Sequence, residues 1–599
     1  MEEHAEPFAS SSRAQAVSTH PVASAGSSQQ KESLVLESQP GTEAEIPSLA
    51  DDHGGHLPKK TFVTTKDWTL QNLVECAPHF RCIPRVSLQD PNLYKTIDYH
   101  EKEGIPLIIE GWQNHHKWPK DMFTLEWLRE HGDQNAYARN IHTWTDLKLS
   151  LPDLIDRLRA SAPFSAPDEK ERLYGKDGEC PQIWRDWLSK GQVIPSRFLF
   201  GAEDDLLQHL PDANKVETLM CYLGVGDTFT PFHKDLCASS GQNLMCYTEN
   251  SGSSFWFMTR GSAAPKVANY FHQLGQELDL ESHVVTVEEF KKAPFDVYIG
   301  EQVLGDLVLV PPRSCHQVIN HGGITVKTSW SRMTLNGLKT ALYHELPIYR
   351  RVCRPEIYRV KSNIYHALLH YTARLNNLVA FASTLDHVSS SSRAPSTTDD
   401  NDQRVIARKL RELLQLFDDI AIQEYTPIYS RLPHVSQLGS HKDDINCDFC
   451  GADVFQSFFE CRDCAKGVDP ENINRTMNPG DGVVICAACY VEGRTCLCGI
   501  MKPTQCRSFK DLLQDRDKAV KALESSRVET DQEYIYLAKH KRCGRNQILI
   551  TLLMVDLQSD PFPGKPVNEY LPCRMRLTTN TLLFERCDCC PFHLPHLPC

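Results

Sequence analysis

The chain has no apolar run of about 18 residues, the length a membrane-spanning helix needs, so none is expected. Its opening residues, MEEHAEPFASSSR, lack the apolar stretch of a secretory signal. The nucleus is therefore the expected compartment, with the cytoplasm as the alternative. Positive charge is also in short supply. The 64 Lys and Arg are outnumbered by 77 Asp and Glu, and the net charge of −13 leaves no bulk field to attract nucleic acid. Strong general DNA binding is not expected. No internal repeat is detectable, which excludes a repeat array.

What is present is ordinary globular text. Apolar residues make up 41% and charged residues 24% of 599, enough for three or four units at about one per 150 residues. The 23 cysteines are too many to ignore. In a reducing compartment they do not read as disulfides, and from Cys447 onward they fall in C-x-x-C pairs, which suits zinc.

Residues 1–60, rich in Ser, Ala, Glu and Gln, read as a disordered tail. A folded region over 61–338 begins with a helical and strand lead-in, where GIPLIIEGW (104–112) reads as a buried strand closed by a glycine turn. From Glu217 the text turns to short β-type runs: 219–225, 230–235, 244–249, 253–259, 295–300, 307–312 and 324–331. Turn residues separate them, as in a sandwich or barrel. A helical extension follows over 339–388, then a linker by composition at 389–403. An amphipathic helix and connector occupy 404–440. The cysteine-rich domain spans 441–505 and a helical segment 506–545. Residues 546–599 carry no assignable pattern.

His233-Lys234-Asp235 places an imidazole and a carboxylate two residues apart. On a strand both face one side while Lys234 faces the other. Downstream, GDLVLVPPRSCHQVIN presents His316 after a strand and a Pro-Pro turn. Two imidazoles and one carboxylate on one face of a metal form the facial triad of non-haem Fe(II) oxygenases, which leaves the opposite coordination positions open.

The segments TPFHKD, SSFWFM and GDLVLVPPRSCHQVIN, with GIPLIIEGW upstream, resemble the JmjC family of 2-oxoglutarate oxygenases over roughly residues 100–335. The resemblance implies an α+β multidomain chain. Its core would be a double-stranded β-helix of the jelly-roll or cupin type with surrounding helices, joined to a small zinc-stabilised domain. It implies Fe(II) on His233, Asp235 and His316, with 2-oxoglutarate as co-substrate. Thr230 matches a hydroxyl that contacts the co-substrate carboxylate in several members, and Asn243 an amide lining the same pocket. One position departs from the family. Where many members carry a lysine for the far carboxylate of 2-oxoglutarate, this chain has Ser253 and Ser254. Lys327, or the hydroxyl of Tyr222, is the candidate replacement. The turn NHGG leaves the facing of Lys327 open, and a solvated surface lysine is the alternative.

CDFC (Cys447, Cys450), CRDC (Cys461, Cys464), CAAC (Cys486, Cys489) and CLC (Cys496, Cys498) supply eight thiolates. Eight suit two structural Zn(II) ions, either in series or interleaved as a cross-brace. The text loosely resembles the small zinc domains through which chromatin proteins make protein contacts. Cys506 and Cys543 stand alone, and CDCC (Cys587 to Cys590) is either a further metal knuckle or part of an unstructured tail.

A JmjC histone lysine demethylase is the reading these features imply, with a histone tail or other chromatin protein as substrate and the zinc module as the docking element. A protein or RNA hydroxylase of the same chemistry is the alternative. A non-catalytic JmjC scaffold acting through the zinc module is the reading from another class. The intact triad argues against the scaffold and the missing strand lysine argues for it.

Overall fold

The computed structural model describes residues 62–191, 193–388, 397–424, 445–464 and 482–526. The tail at 1–60, the connector at 425–440, Cys543 and residues 546–599 with their CDCC lie outside the described residues. The chain divides into two units, Met1–Gln208 with Glu217–Gly337, and His209–Val216 with Leu338–Cys599.

In the first unit the lead-in contributes β1 (Phe80–Cys82), β2 (Arg85–Ser87), β3 (Leu107–Glu110), β4 (Asn135–Asn140), β5 (Thr145–Ser150) and β6 (Leu173–Glu179). Eight more strands follow: β7 (Met220–Gly224), β8 (Phe229–Lys234), β9 (Ser240–Thr248), β10 (Ser253–Met258), β11 (Val297–Gln302), β12 (Leu307–Val310), β13 (Cys315–His321) and β14 (Thr325–Arg332). These eight alternate between two sheets, except that β10 and β11 are antiparallel neighbours in one sheet. One sheet runs β2-β3-β12-β9-β14-β7-β6-β4-β5 and the other β1-β11-β10-β13-β8. This interleaving is a double-stranded β-helix, a jelly-roll closed by two facing sheets.

Period-two alternation explains how the sheets pack. On β14, Val326 and Trp330 point outward into a core shared with Leu107, Leu244 and Leu307. On β10 and β13, Phe255, Phe257, Cys315 and Ile319 point outward into a second core with Phe232, Phe271 and Phe290. The floor of the barrel interior is apolar, built by Trp256, Met258, Val308, Val310 and Val318. The rest of the interior is polar, and it is there that the candidate residues gather.

All seven runs expected as strands contain one. β13 is an addition: His316, which follows a strand and the Pro-Pro turn, sits second in a further strand. The inward positions of β13 are His316, Val318 and Asn320. A strand whose buried face carries His and Asn does not show the hydrophobic alternation by which strands are recognised.

The lead-in is held to the barrel by Asp227, fully buried at φ +64 in the turn between β7 and β8. Its carboxylate accepts from Thr65 N (2.6 Å), Thr65 Oγ1 (2.7 Å) and Ser165 N (2.7 Å). Beside it, the buried Arg172 donates to Gly226 O at 2.6 Å and pairs with Glu169 at 2.8 Å.

In the second unit, α1 (Val360–Val388), α2 (Thr397–Glu424) and α3 (Phe509–Ser525) pack together. Ile364, Leu368, Tyr371 and Leu375 form one helical face, and Ile406, Leu410, Leu413, Phe417 and Ile420 another. α2 begins at Thr397, inside the segment expected as linker at 389–403. TTDDNDQ is polar in composition, but aspartates in the first turns of a helix favour its N-terminus. Between α2 and α3 lies a three-stranded sheet, β15 (Ser457–Cys461), β16 (Val483–Cys486) and β17 (Lys502–Gln505), in the order β16-β15-β17. Glu356 ties this module to α1. It accepts from Val360 N at the start of the helix (2.8 Å) and from Asp453 N (3.3 Å), while Arg359 pairs with Asp453 at 2.8 Å.

Asp227→Ala strands three buried donors at once. It is expected to lower the unfolding free energy by about 3 kcal/mol or more, read from denaturant melts. A loss no larger than that of a surface substitution would show that Asp227 does not anchor the lead-in.

Candidate active site

β8 and β13 are antiparallel neighbours, and their register sets His233 directly opposite His316. The ring centroids lie 4.2 Å apart, and His316 Nε2 is 3.8 Å from Asp235 Oδ1. One ligand atom from each of His233, Asp235 and His316 lies within 4.8 Å of the others. The three could hold one metal ion between them. Lys234 takes the opposite face, as the two-residue spacing predicts, and pairs with the buried Asp279 at 3.1 Å.

The donors are prepared for a cation. His233 Nδ1 lies 2.8 Å from Pro231 O and His316 Nδ1 lies 3.0 Å from Ser314 O. Each carbonyl fixes the proton on Nδ1 and leaves the Nε2 lone pair for the metal. Asp235 Oδ2 is buried without a hydrogen-bond partner, a costly state for a carboxylate oxygen that a metal ion relieves. Gly241 makes the space, because a Cβ there would stand 2.2 Å from that oxygen.

Thr230 and His233 are three residues apart, which on a regular strand would place them on opposite faces. The register prevents this. From His316 to Val318 β13 advances two residues, while from His233 to Thr230 β8 advances three. The extra residue is a bulge that turns both side chains inward. Thr230 there meets the hydroxyl of Tyr174, which is buried on β6.

Deeper along the barrel, Lys327 projects inward from β14. It is 1% exposed, so the solvated placement is ruled out. Its Nζ donates to Ser254 Oγ at 3.0 Å and to Asn320 Oδ1 at 2.7 Å, and burial pushes the ammonium down to about 7. The lysine on β14 therefore ends beside Ser254, where the family pattern has a lysine on β10. Tyr222 lies directly opposite Lys327 in the register, but its hydroxyl donates to Asp177 Oδ1 at 2.9 Å. That proton goes to a carboxylate within the protein. Asn243 is half-buried on β9, and its side-chain oxygen accepts from Gln302 Nε2 at 3.1 Å. Gln302 in turn accepts from Trp256 Nε1 at 2.9 Å. Sequence reasoning missed Tyr174, Asp177 and Asn320. The first two lie on a strand interrupted by a register shift between Gly175 and Gly178, and Asn320 is hidden by the polar face of β13.

The eight paired cysteines separate into two clusters. Cys447, Cys450, Cys486 and Cys489 converge on one point, and Cys461, Cys464, Cys496 and Cys498 on another. First and third pairs therefore combine, as do second and fourth, which selects the cross-brace over the serial arrangement. Backbone N–H groups point at the sulfurs: Cys486 N at Cys447 Sγ (3.3 Å), Cys489 N at Cys486 Sγ (3.4 Å) and Cys498 N at Cys464 Sγ (3.3 Å). Such donors favour the thiolates that Zn(II) requires. Cys506 stands apart, buried with its thiol against Val454, Phe455 and Gln456 carbonyls.

A double-stranded β-helix carrying two imidazoles on neighbouring strands and a carboxylate just after one of them has the ligand set of a non-haem iron oxygenase. Residues 220–331 match the model of the JmjC domain, described as a hydroxylase. These residues form a JmjC domain, a family of oxygenase type, and a cysteine-rich region with two clusters that could each hold a metal ion lies nearer the C-terminus. Over 423 residues, 67% of the chain, it is 30% identical to C-module-binding factor A of Dictyostelium discoideum. The match covers 38% of that relative, so the chain corresponds to little more than a third of its length.

Two outcomes are expected. Gly241→Ala displaces Asp235 and lowers Mn(II) affinity by at least about tenfold, measured by titration; unchanged affinity would contradict the assigned ligand. Native mass spectrometry should find two zincs per chain and one after Cys450→Ala or after Cys461→Ala. Loss of both ions from either variant would contradict two independent centres.

Proposed function

We propose that the chain is an Fe(II)- and 2-oxoglutarate-dependent oxygenase that demethylates lysine side chains of histone tails in the nucleus, with the zinc module docking it on chromatin proteins. The observation that carries the oxygenase reading is the barrel interior itself. It holds three metal donors at one end and, further in, a buried lysine suited to a carboxylate. His233, Asp235 and His316 would hold the iron. Thr230, Asn243 and Lys327 would orient the co-substrate so that its two ends meet the metal and the ammonium.

Iron bound there would let O2 serve as the oxidant: 2-oxoglutarate would be oxidised to succinate and CO2 with one oxygen atom, and the other would enter a substrate C–H bond as hydroxyl. The chain's own residues bind and position the substrate and exclude water. Hydroxylation of an N-methyl group yields a carbinol that releases formaldehyde, which completes demethylation. A cationic substrate is favoured by the wall formed by β6 and β7. There the Tyr174 and Tyr222 rings stand 6.3 Å apart, and the exposed Asp177 carboxylate, one oxygen at the Tyr222 hydroxyl and the other paired with Lys176 at 3.0 Å, lies beside them. Aromatic faces and a carboxylate suit a methylated ammonium. The acidic balance of the chain is compatible with a basic tail.

The relative is named for binding, which supports a second reading of the barrel as a binding module without turnover. One assay separates the readings. The full chain with Fe(II), 2-oxoglutarate and a panel of methylated H3 and H4 peptides is expected to release succinate and formaldehyde, with loss of one CH2 mass per methyl removed. Asp235→Ala is expected to abolish both products while leaving the fold intact. Succinate with a hydroxylated product and no formaldehyde would replace demethylase by hydroxylase. No 2-oxoglutarate binding at all would overturn both.

A further inference from the structure

A lysine that serves the far end of 2-oxoglutarate has to be aimed into the barrel, and the role assigned below to Asn320 rests on that reading of the barrel as a 2-oxoglutarate site. A lysine ammonium has three N–H donors. Lys327 spends two of them on neutral acceptors, Ser254 Oγ and Asn320 Oδ1. Among the described residues no carboxylate pairs with it.

Asn320 is held by more than this lysine. Its side-chain oxygen also accepts from Ser254 Oγ at 2.8 Å and Thr325 Oγ1 at 3.1 Å, and its Nδ2 donates to Thr228 Oγ1 at 2.8 Å. Thr228 fixes which end of the amide faces which way. Its own hydroxyl proton goes to Val225 O at 2.6 Å, so its oxygen can only accept from Asn320. The amide nitrogen must therefore face Thr228 and the oxygen must face Lys327. Gly224 leaves the room, because a Cβ there would stand 2.1 Å from Asn320 Nδ2.

We propose that Asn320, its amide polarity set by Thr228, is the positioning residue that keeps the Lys327 ammonium turned into the barrel for the far carboxylate of a 2-oxo dicarboxylic acid, and that binding of this acid takes up a proton. Asn320 touches neither metal nor co-substrate in this role and acts through Lys327.

The groups around Lys327 leave it as the titrating site. β7 presents Tyr222 with Asp177 behind it, and β6 presents Tyr174, whose phenol burial pushes far up. β9 presents Met245, β10 Ser254, β11 Gln302 and β13 Asn320; the metal ligands on β8 and β13 lie toward the other end. Burial has lowered the ammonium to about 7, and an incoming carboxylate raises it again. Below that value Lys327 is already charged and no proton is needed. Above it the proton must be recruited, so affinity falls by up to about tenfold per pH unit until the bound-state value is reached.

Calorimetry of the full chain loaded with Mn(II) and titrated with 2-oxoglutarate, in buffers of different ionisation enthalpy, reads both affinity and proton uptake. The wild type is expected to take up about one proton per acid near pH 8 and almost none near pH 6. Thr228→Val frees the amide to turn its nitrogen toward the lysine, and should weaken 2-oxoglutarate about tenfold with Mn(II) affinity held within about twofold. Asn320→Asp, of the same shape, holds Lys327 charged but neutralised. Affinity should fall at least about tenfold and the proton uptake near pH 8 should vanish. Wild-type binding without proton uptake, or variants matching the wild type in both readouts, would overturn the inference alone. A wild type that binds no 2-oxoglutarate would overturn the functional reading on which it rests.

Discussion

The burial of the Lys327 ammonium is the constraint on which the rest of the barrel depends. An ionised amine taken out of water without an ion partner is costly, and the lowered pKa of Lys327 shows that cost. The fold offsets part of it with Asn320, Ser254 and the small residues around them. The remainder stays in the protein as an unmet demand for negative charge. At the other end, Asp235 Oδ2 is buried without a donor and represents the opposite demand. A metal ion at one end and a dicarboxylate reaching from it to the other, as proposed above, would answer both.

That polar interior can exist because the two sheets send their apolar side chains elsewhere. Each sheet packs an outward face against its own helices, and only the floor of the barrel is apolar. Strict alternation would still have separated Thr230 from the metal ligands. The bulge in β8 removes that conflict and gathers the hydroxyl, the triad and the lysine into one chamber.

Much of this was legible in the sequence, and for identifiable reasons. His233 and Asp235 lie two apart on a strand, so their common face follows from the pleat. His316 was recognisable from the text around it. The cysteine pairs announced zinc, but C-x-x-C spacing carries no information on which knuckles combine. The cross-brace appears only when β15 and β16 bring the strand ends together. Lys327 was named but could not be oriented, because the NHGG turn breaks the count of alternation between β13 and β14. Tyr222 was named for its hydroxyl, and its partner Asp177 comes from a strand 45 residues earlier that carries its own register shift. Asn320 gave no signal, since an asparagine on the buried face of a strand resembles a loop residue. Local periodicity reveals facing; partnership between distant strands requires the fold.

The most direct test of the central claim is the electron density of the chain crystallised with Mn(II) and 2-oxoglutarate. The account predicts one anomalous peak bound by His233 Nε2, Asp235 and His316 Nε2, with the far carboxylate within hydrogen-bond distance of Lys327 Nζ. A metal bound by those three residues with the acid's far carboxylate lodged away from Lys327, the lysine still occupied only by Asn320 and Ser254, would contradict it.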